Sequence, residues 1–306
     1  MTIFLQATAE GLALGAVYSL VAIGFVLIYK AMDVLSFAQP ALAVVGAGLI
    51  SSLAIDRGIP FWISLILGIL LTGLLSLIIE RTFLRPMVGE PVFSVAVLTI
   101  GIDILLRTVL DNWIGLSPRY LGDPFPNFGN FGSITLNGVT LKYLEISAFF
   151  TGIFVIIVLS IFFKKSKYGV AMRATSLDQE AALAQGIDVG RIFGLVWFIA
   201  GILASMAGFF ITGGFNTLTQ FSFISALRAL PAVVIGGLDS ISGAVVGSII
   251  IGLTQGYVGY FQSNLETLIG ISLGSGFSLL APYLIMFAIL LVKPDGLFGT
   301  EEVERV

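Results

Sequence analysis

The chain has 306 residues, is 57% hydrophobic and only 11% charged, and carries a net charge of −3 with a mean hydropathy of +1.05. A soluble domain carries about 25% charged residues, so an ordinary soluble fold is excluded, and nothing in the charge balance offers a footprint for nucleic acid. Cysteine and histidine are both absent, which excludes disulfides, thiol chemistry, Cys/His metal sites and histidine proton relays; no Gly-x4-Gly-Lys-Ser/Thr phosphate loop occurs, so the sequence implies no cofactor, no metal and no nucleotide engine of its own.

Apolar blocks long enough to cross a bilayer recur along the chain, as expected of a polytopic membrane protein in lipid. Residues 5–29 form the first predicted span. No basic n-region or small-residue cleavage site precedes it, so it reads as retained. Gly11, Gly15 and Ser19 lie four apart and make a stripe for close helix packing. After Lys30 and Asp33 comes Ser36-Phe37-Ala38-Gln39-Pro40, leading into a Gly-rich apolar run to about Ile55 that includes Gly46 and Gly48. Proline breaks helix geometry, and breaks at membrane depth survive only beside protein or water. Two readings stand here: a broken helix beside a pathway, or a loop with Pro40 near the start of an ordinary span. Residues 61–79 form the third span, closed by Glu80, Arg81, Arg85 and Pro86. Residues 92–110 form the fourth, with Asp103 and Arg107 on one helical face. An ionisable pair inside a membrane segment is a functional-site hypothesis; its place toward the span's end favours a structural ion pair.

Residues 112–142 make the longest stretch without a span, an external loop whose Gly122-Asp123-Pro124 and Leu136-Asn137-Gly138-Val139 are turn chemistry, the second suited to a hairpin. Residues 143–163 form the fifth span. The interval 164–191 is polar, and its front half is basic. Ser176 followed by Gln179 reads as a capping box, Asp178 and Glu180 suit a helix N-terminus, and Gly186 suits a left-handed C-terminus. This predicts a surface helix of roughly ten residues, with Ala181 and Ala182 small enough to let another protein approach. Residues 192–212 form the sixth span. Gly213-Gly214-Phe215-Asn216 breaks the chain; residues 221–235, with Arg228 and Pro231, are too short to span comfortably, and Gly236-Gly237 turns the chain. Residues 241–261 carry a second stripe, Gly243, Gly247, Gly252 and Gly256. Residues 262–276 read as a polar loop, and 277–292 as the last span before Lys293-Pro294-Asp295-Gly296. The expectation is an all-α polytopic membrane protein of about nine membrane segments, forming one transmembrane domain over residues 1–306.

Positive charge in short loops sets orientation. Lys30, Arg81 with Arg85, the 164–191 interval, and Lys293 with Arg305 all fall on one side, which is then cytoplasmic; 112–142, 262–276 and the N-terminus face outward. Ser36-Phe37-Ala38 and Ser222-Phe223-Ile224 each precede an interrupted span, in opposite directions, a faint sign of an inverted repeat with a midplane pathway.

Several phrases carry a resemblance. They are residues 11–20 (GLALGAVYSL), Ser36-Phe37-Ala38, Glu80-Arg81 with Arg85-Pro86, residues 169–174 (GVAMRA), Ala181-Ala182 with Gly186-Ile187-Asp188, residues 232–238 (AVVIGGL) with 240–244 (SISGA), and the tail 293–299 (KPDGLFG). In this order they resemble the permease subunits of the branched-chain amino-acid (Liv-type) ABC importers, within the ribose/branched-chain permease superfamily, over nearly the whole chain. The resemblance implies a type II importer-like pore of two homologous permease subunits in a bacterial or archaeal cytoplasmic membrane, two cytoplasmic ATPase subunits, and an extracytoplasmic substrate-binding protein that delivers a small-molecule substrate. The segment bearing Ser176, Asp178, Glu180, Ala181, Ala182 and Gly186 then corresponds to the coupling helix that docks on the ATPase. Ser36, Phe37, Gln39, Pro40 and Gly46, with Arg228, Pro231, Gly236 and Gly237, would line the path. Arg228 is placed either to attract a substrate carboxylate or to snorkel to the outer interface. The family often has Asn at position 36, Gly at 40 and Lys at 228 and lacks the 103/107 charge pair; these departures bear on substrate identity more than on architecture. Rival functions are import of urea, short amides or another solute on the same scaffold, and an ion-coupled secondary transporter, for which only Asp103 approaches the buried carboxylate required.

Overall fold

The computed structural model describes residues 2–115, 117–122, 132–136, 138–213, 217–219, 221–274 and 276–299. In chain order the elements are α1 (Thr2–Met32), α2 (Gln39–Ser51), α3 (Phe61–Ile79), α4 (Val92–Ile114), the hairpin β1 (Ser133–Leu136) and β2 (Val139–Lys142), and α5 (Tyr143–Lys165). Then follow α6 (Lys167–Leu177), α7 (Gln179–Ala184), α8 (Val189–Thr212), α9 (Ser222–Leu227), α10 (Ala229–Gly236), α11 (Ile241–Ile269) and α12 (Phe277–Val292). A π-helical turn prolongs α2 to Asp56, and another at Glu80–Leu84 prolongs α3. Seven of these helices are long and apolar enough to cross a membrane, and two shorter apolar stretches, Ser222–Gly236 and Phe277–Val292, join them. The chain is an all-α polytopic membrane protein with seven candidate membrane spans among the described residues, where the sequence reading expected about nine membrane segments.

Local chemistry sets the ends. Pro60 and Pro91 stand just before α3 and α4, where a missing N–H costs nothing and the preceding residue is held out of helix. Ser166, Asp178, Asp188 and Ser240 each accept a backbone N–H at the start of α6, α7, α8 and α11. Among the long helices, two boundaries differ most from the sequence reading. Helix α11 does not end at Phe261: it runs on through the polar residues to Ile269, where Gly270 (φ +68°) stops it. Gln262 donating to Glu266 at 2.9 Å supports that polar last part from within, so much of the expected outer loop is helix. Helix α4 likewise runs to Ile114 before Gly115 (φ +89°). The hairpin pairs Ser133 with Lys142 and Leu136 with Val139; Asn137 of its turn lies outside the described residues, as do Asp123, Pro124, residues 214–216 and Arg305.

Burial separates the helices into centre and rim. The most apolar windows of α1, α2 and α8 are 83%, 78% and 72% buried, whereas those of α3, α4 and α5 are 33%, 28% and 22% buried. The rim helices turn residues such as Ile66, Leu74, Ile104, Phe150 and Phe154 outward, which is where lipid or another subunit solvates an apolar face. In the centre, helices approach at backbone distance. A Cβ at Gly252 would lie 2.4 Å from Gly11 O, one at Gly256 2.4 Å from Ala7 O, and one at Gly11 2.8 Å from Leu253 Cα. The two small-residue stripes of the sequence therefore face each other, Gly11 and Gly15 of α1 against Gly252 and Gly256 of α11. The remaining glycines of the second stripe, Gly243 and Gly247, pack on Gly236 and Ala232 of α10. Gly208 of α8 rests on the Ala43 carbonyl of α2.

Candidate coupling surface and solute cavity

Hydrogen bonds divide the protein into two ends. At one, Lys30 Nζ donates to Asp239 O (2.8 Å), Gln179 Nε2 to Ala31 O (3.3 Å), Arg85 Nη2 to Gly190 O (2.6 Å), and Leu297 N to Ile235 O (2.7 Å). At the other, Gln6 Nε2 donates to Thr140 O (2.7 Å), Tyr260 to Glu10 (2.5 Å), and Arg119 pairs with Asp56. The basic stretches around Lys30, Arg85, residues 164–191 and Lys293 thus gather at the first end, and the hairpin and N-terminus at the second.

The surface helix at the basic end differs from the sequence reading. Residues 167–184 make two helices rather than one beginning at Ser176. Ser176 lies in the last turn of α6, where its Oγ donates back to Arg173 O at 2.9 Å and so satisfies its hydroxyl within that helix. The cap is Asp178: it is extended (φ −160°, ψ 110°), and its Oδ1 accepts from Ala181 N at 2.9 Å. Gln179 reaches across to Ala31 instead of back to the cap, so α7 is six residues long and held against the end of α1. Gly186 (φ +81°) ends it as expected. Gly186 N donates to Leu183 O (2.9 Å) and Ile187 N to Ala182 O (3.0 Å), the paired closure that a left-handed glycine permits. Glu180, Ala181, Ala184 and Gly186 are exposed, as are Leu177 and Leu183, while Ala182 is 3% exposed and packs inward. Together α6, α7 and their turn present an outward surface of small residues flanked by two uncovered leucines.

Directly behind this surface is a clasp whose partners sequence pattern alone did not pair. The Glu80 side chain is fully buried; Arg85 grips it twice, Nε to Oε1 at 3.0 Å and Nη2 to Oε2 at 3.1 Å, and reaches the Gly190 carbonyl with the same Nη2. Position 194 carries no side chain, and a Cβ there would stand 3.4 Å from Glu80 Oε2. The π turn at Glu80–Leu84 brings Arg85 back onto Glu80, so the end of α3 is tied to the first turn of α8, just beyond α7.

The residues expected along a path separate into two groups. Ser36, Gln39 and Gly46 lie in the packed centre. Ser36 and Gln39 are fully buried, and Gln39 Nε2 lies 3.4 Å from Ala200 O, wedged against Gly24, where a Cβ would stand 2.0 Å from that nitrogen. Ser36 Oγ, Gln39 Oε1 and the nearby Ser205 Oγ are buried without partners. Pro40 sits in the first turn of α2, which runs unbroken to Ser51; the irregularity is at its far end. The Phe37 N–H donates to Thr99 Oγ1 of α4 at 3.1 Å. Two turns along α4, Arg107 holds Asp103 (2.5 Å) and covers the Phe223 ring of α9 at 4.0 Å. The charge pair is thus a strut between α4 and α9. Pro231 is buried in α10, Gly236 packs on Gly243, and Gly237 (φ +101°) receives the C-terminal tail at Gly299.

Arg228 belongs to the second group. It stands at the junction of α9 and α10 and lines a cavity of 650 Å³ between α1, α8, α9 and α12, together with Tyr18, Thr219, Ser222, Ser225 and an apolar wall that includes Leu14 and Leu279. Tyr18 donates to Gln255 Oε1 of α11 at 2.5 Å. Tyr18 sits inside a stripe of packing residues, and the one sequence signal for it is a lone phenol among Gly15, Ser19 and aliphatics.

Comparison with known proteins shows the family. The family described as "Branched-chain amino acid transport system / permease component" matches residues 7–292. The chain belongs to this family. Among curated relatives, the high-affinity branched-chain amino acid transport system permease protein BraD of Pseudomonas aeruginosa is 25% identical over 99% of this chain and 98% of its own length. LivH of Escherichia coli K12, named likewise, is 25% identical over the same shares, and a probable branched-chain amino acid transport permease LivH of Methanocaldococcus jannaschii is 26% identical over 92% of this chain and 88% of its own. The permease is therefore a transport subunit of the ABC class and not an enzyme, a multi-pass protein of the cytoplasmic membrane whose class works with ATPase and binding-protein partners.

Proposed function

We propose that this permease is one of two homologous transmembrane subunits of an importer that moves a branched-chain or other small amino acid into the cell, powered by two separate cytoplasmic ATPase subunits and fed by an extracytoplasmic binding protein. The observation that carries the proposal is the exposed α6–α7 surface at the basic end, set on a chain with no phosphate loop. The positive-inside rule makes that end cytoplasmic. An ATPase docking on Asp178, Glu180, Ala181, Ala184 and Gly186 pushes α7, and Ala182 and Gln179 pass the push inward to the end of α1. Through Gly190 and the Glu80–Arg85 clasp the same push reaches α3 and α8. The movement alternately opens a path past the segments around Ser36–Gly48 and 223–237, the second of which is broken at Arg228. Reconstitution tests it: the permease pair with ATPases and binding protein takes up labelled leucine, isoleucine or valine only with ATP. Uptake by this chain alone, without nucleotide, overturns the reading.

A further inference from the structure

The cavity between α1, α8, α9 and α12 has a chemical bias that the family resemblance does not assign. Tyr18, at its floor, stands next to the midpoint of α1 (Thr2–Met32). Arg228 lies beside the Tyr18 hydroxyl there, and its Nε is buried without a hydrogen-bond partner. A guanidinium presents its donors in a planar fork and cannot shed its charge. The described residues around it supply hydroxyls from Thr219, Ser222 and Ser225 but no carboxylate. Asp103, the acid expected near the pathway, is held by Arg107 and does not line the cavity. A fixed positive charge among apolar helices, with one donor left unsatisfied and no acid lining the cavity to answer it, favours an anion.

We propose that this cavity is a carboxylate-binding station, in which Arg228 with Tyr18 holds the carboxylate of a small amino acid or short carboxylic acid, and Leu14 and Leu279 take its apolar part. The inference rests on the importer reading for its physiological meaning, and it excludes urea, neutral amides and cationic solutes as preferred cargo. The hydroxyls of Ser222 and Ser225 accept from the ammonium of a zwitterion while the fork holds the opposite end. The wall is apolar, so an aliphatic side chain loses no hydrogen bonds on entry.

The absence of cysteine from the native chain provides the test. Ser225→Cys gives this chain its only thiol, inside the cavity, and the full-length variant is labelled in native membranes with an anionic and a cationic methanethiosulfonate reagent. The anionic reagent is expected to react roughly tenfold faster relative to its rate on a free thiol, as an uncompensated positive charge nearby requires; Arg228→Gln in the same background is expected to abolish that preference. Leucine and 4-methylpentanoate are expected to protect the thiol, and leucinamide and urea are not. Should the Arg228→Gln protein fail to insert, the reagent ratio and the solute panel on the Arg228 background decide by themselves. A reagent ratio equal to that of a free thiol, a preference that survives Arg228→Gln, protection by leucinamide equal to that by leucine, or protection by none of the four overturns the proposal. ATP-driven uptake plays no part in this labelling, so failure of the importer reading and failure of the station are told apart.

Discussion

At position 85 a single side chain joins three segments. Removing it leaves the Glu80 carboxylate fully buried with no cation, the costly half of a broken ion pair. Arg85→Ala is expected to destabilise the permease by about 3 kcal/mol, the low end for a buried pair because the arginine is 38% exposed. Glu80→Leu in the same chain is expected to recover most of the loss. Heating in detergent followed by fluorescence-detected gel filtration measures both, and a double variant no better than Arg85→Ala removes the clasp from the account. Gly252 is a second residue with no latitude, since any Cβ there meets the α1 backbone. Gly252→Val is expected to cost about 1–3 kcal/mol through forced separation of α1 and α11. Gly259 in the same helix has nothing within 4 Å of an added Cβ, and Gly259→Ala is expected to raise the melting temperature slightly, by up to about 1 kcal/mol of stability.

Helix α7 has two faces with different jobs. Ala182 packs on the core and Ala181 does not. Ala182→Trp is expected to lower the yield of folded protein, whereas Ala181→Trp leaves folding intact and abolishes ATP-driven uptake in the reconstituted complex. If Ala181→Trp transports at the wild-type rate, α7 is not the docking surface. The cap makes a sharper contrast, because sequence spacing and structure disagree about it. Asp178→Ala removes the acceptor for Ala181 N and is expected to cost α7 about 1 kcal/mol, seen as faster proteolysis between α6 and α8; Ser176→Ala removes only a back-bond within α6 and is expected to be near neutral. Equal effects from the two would favour the single longer helix that the capping pattern suggested.

For the molecule as a whole, the prediction concerns sidedness. Single cysteines at Ala184 and Thr135 are exposed at opposite ends; the first is expected to react with an impermeant maleimide only after the cells are opened, and the second in intact cells. The reverse result inverts the orientation and removes α7 from any cytoplasmic partner.

What the amino-acid order determined by itself was whatever depends on near neighbours along the chain. Long apolar runs had to become spanning helices because unpaired backbone is too costly in lipid. Glycine placed an end that could be read locally, at Gly186. The packing role of the two glycine stripes could also be read, since close helix approach is the main use of such a pattern. Their partnership could not, because Gly11 and Gly252 are joined only by the fold. The tertiary structure alone decided that Arg85 turns back onto Glu80 and reaches the Gly190 carbonyl, and that Arg107 braces Phe223. It likewise decided that Asp178 rather than Ser176 caps α7, because the Gln179 amide expected to complete the Ser176 box is drawn away to α1. Arg228 meets Tyr18 across 210 residues of chain for the same reason: a cavity is made by walls from distant segments, and no local pattern records which walls will meet.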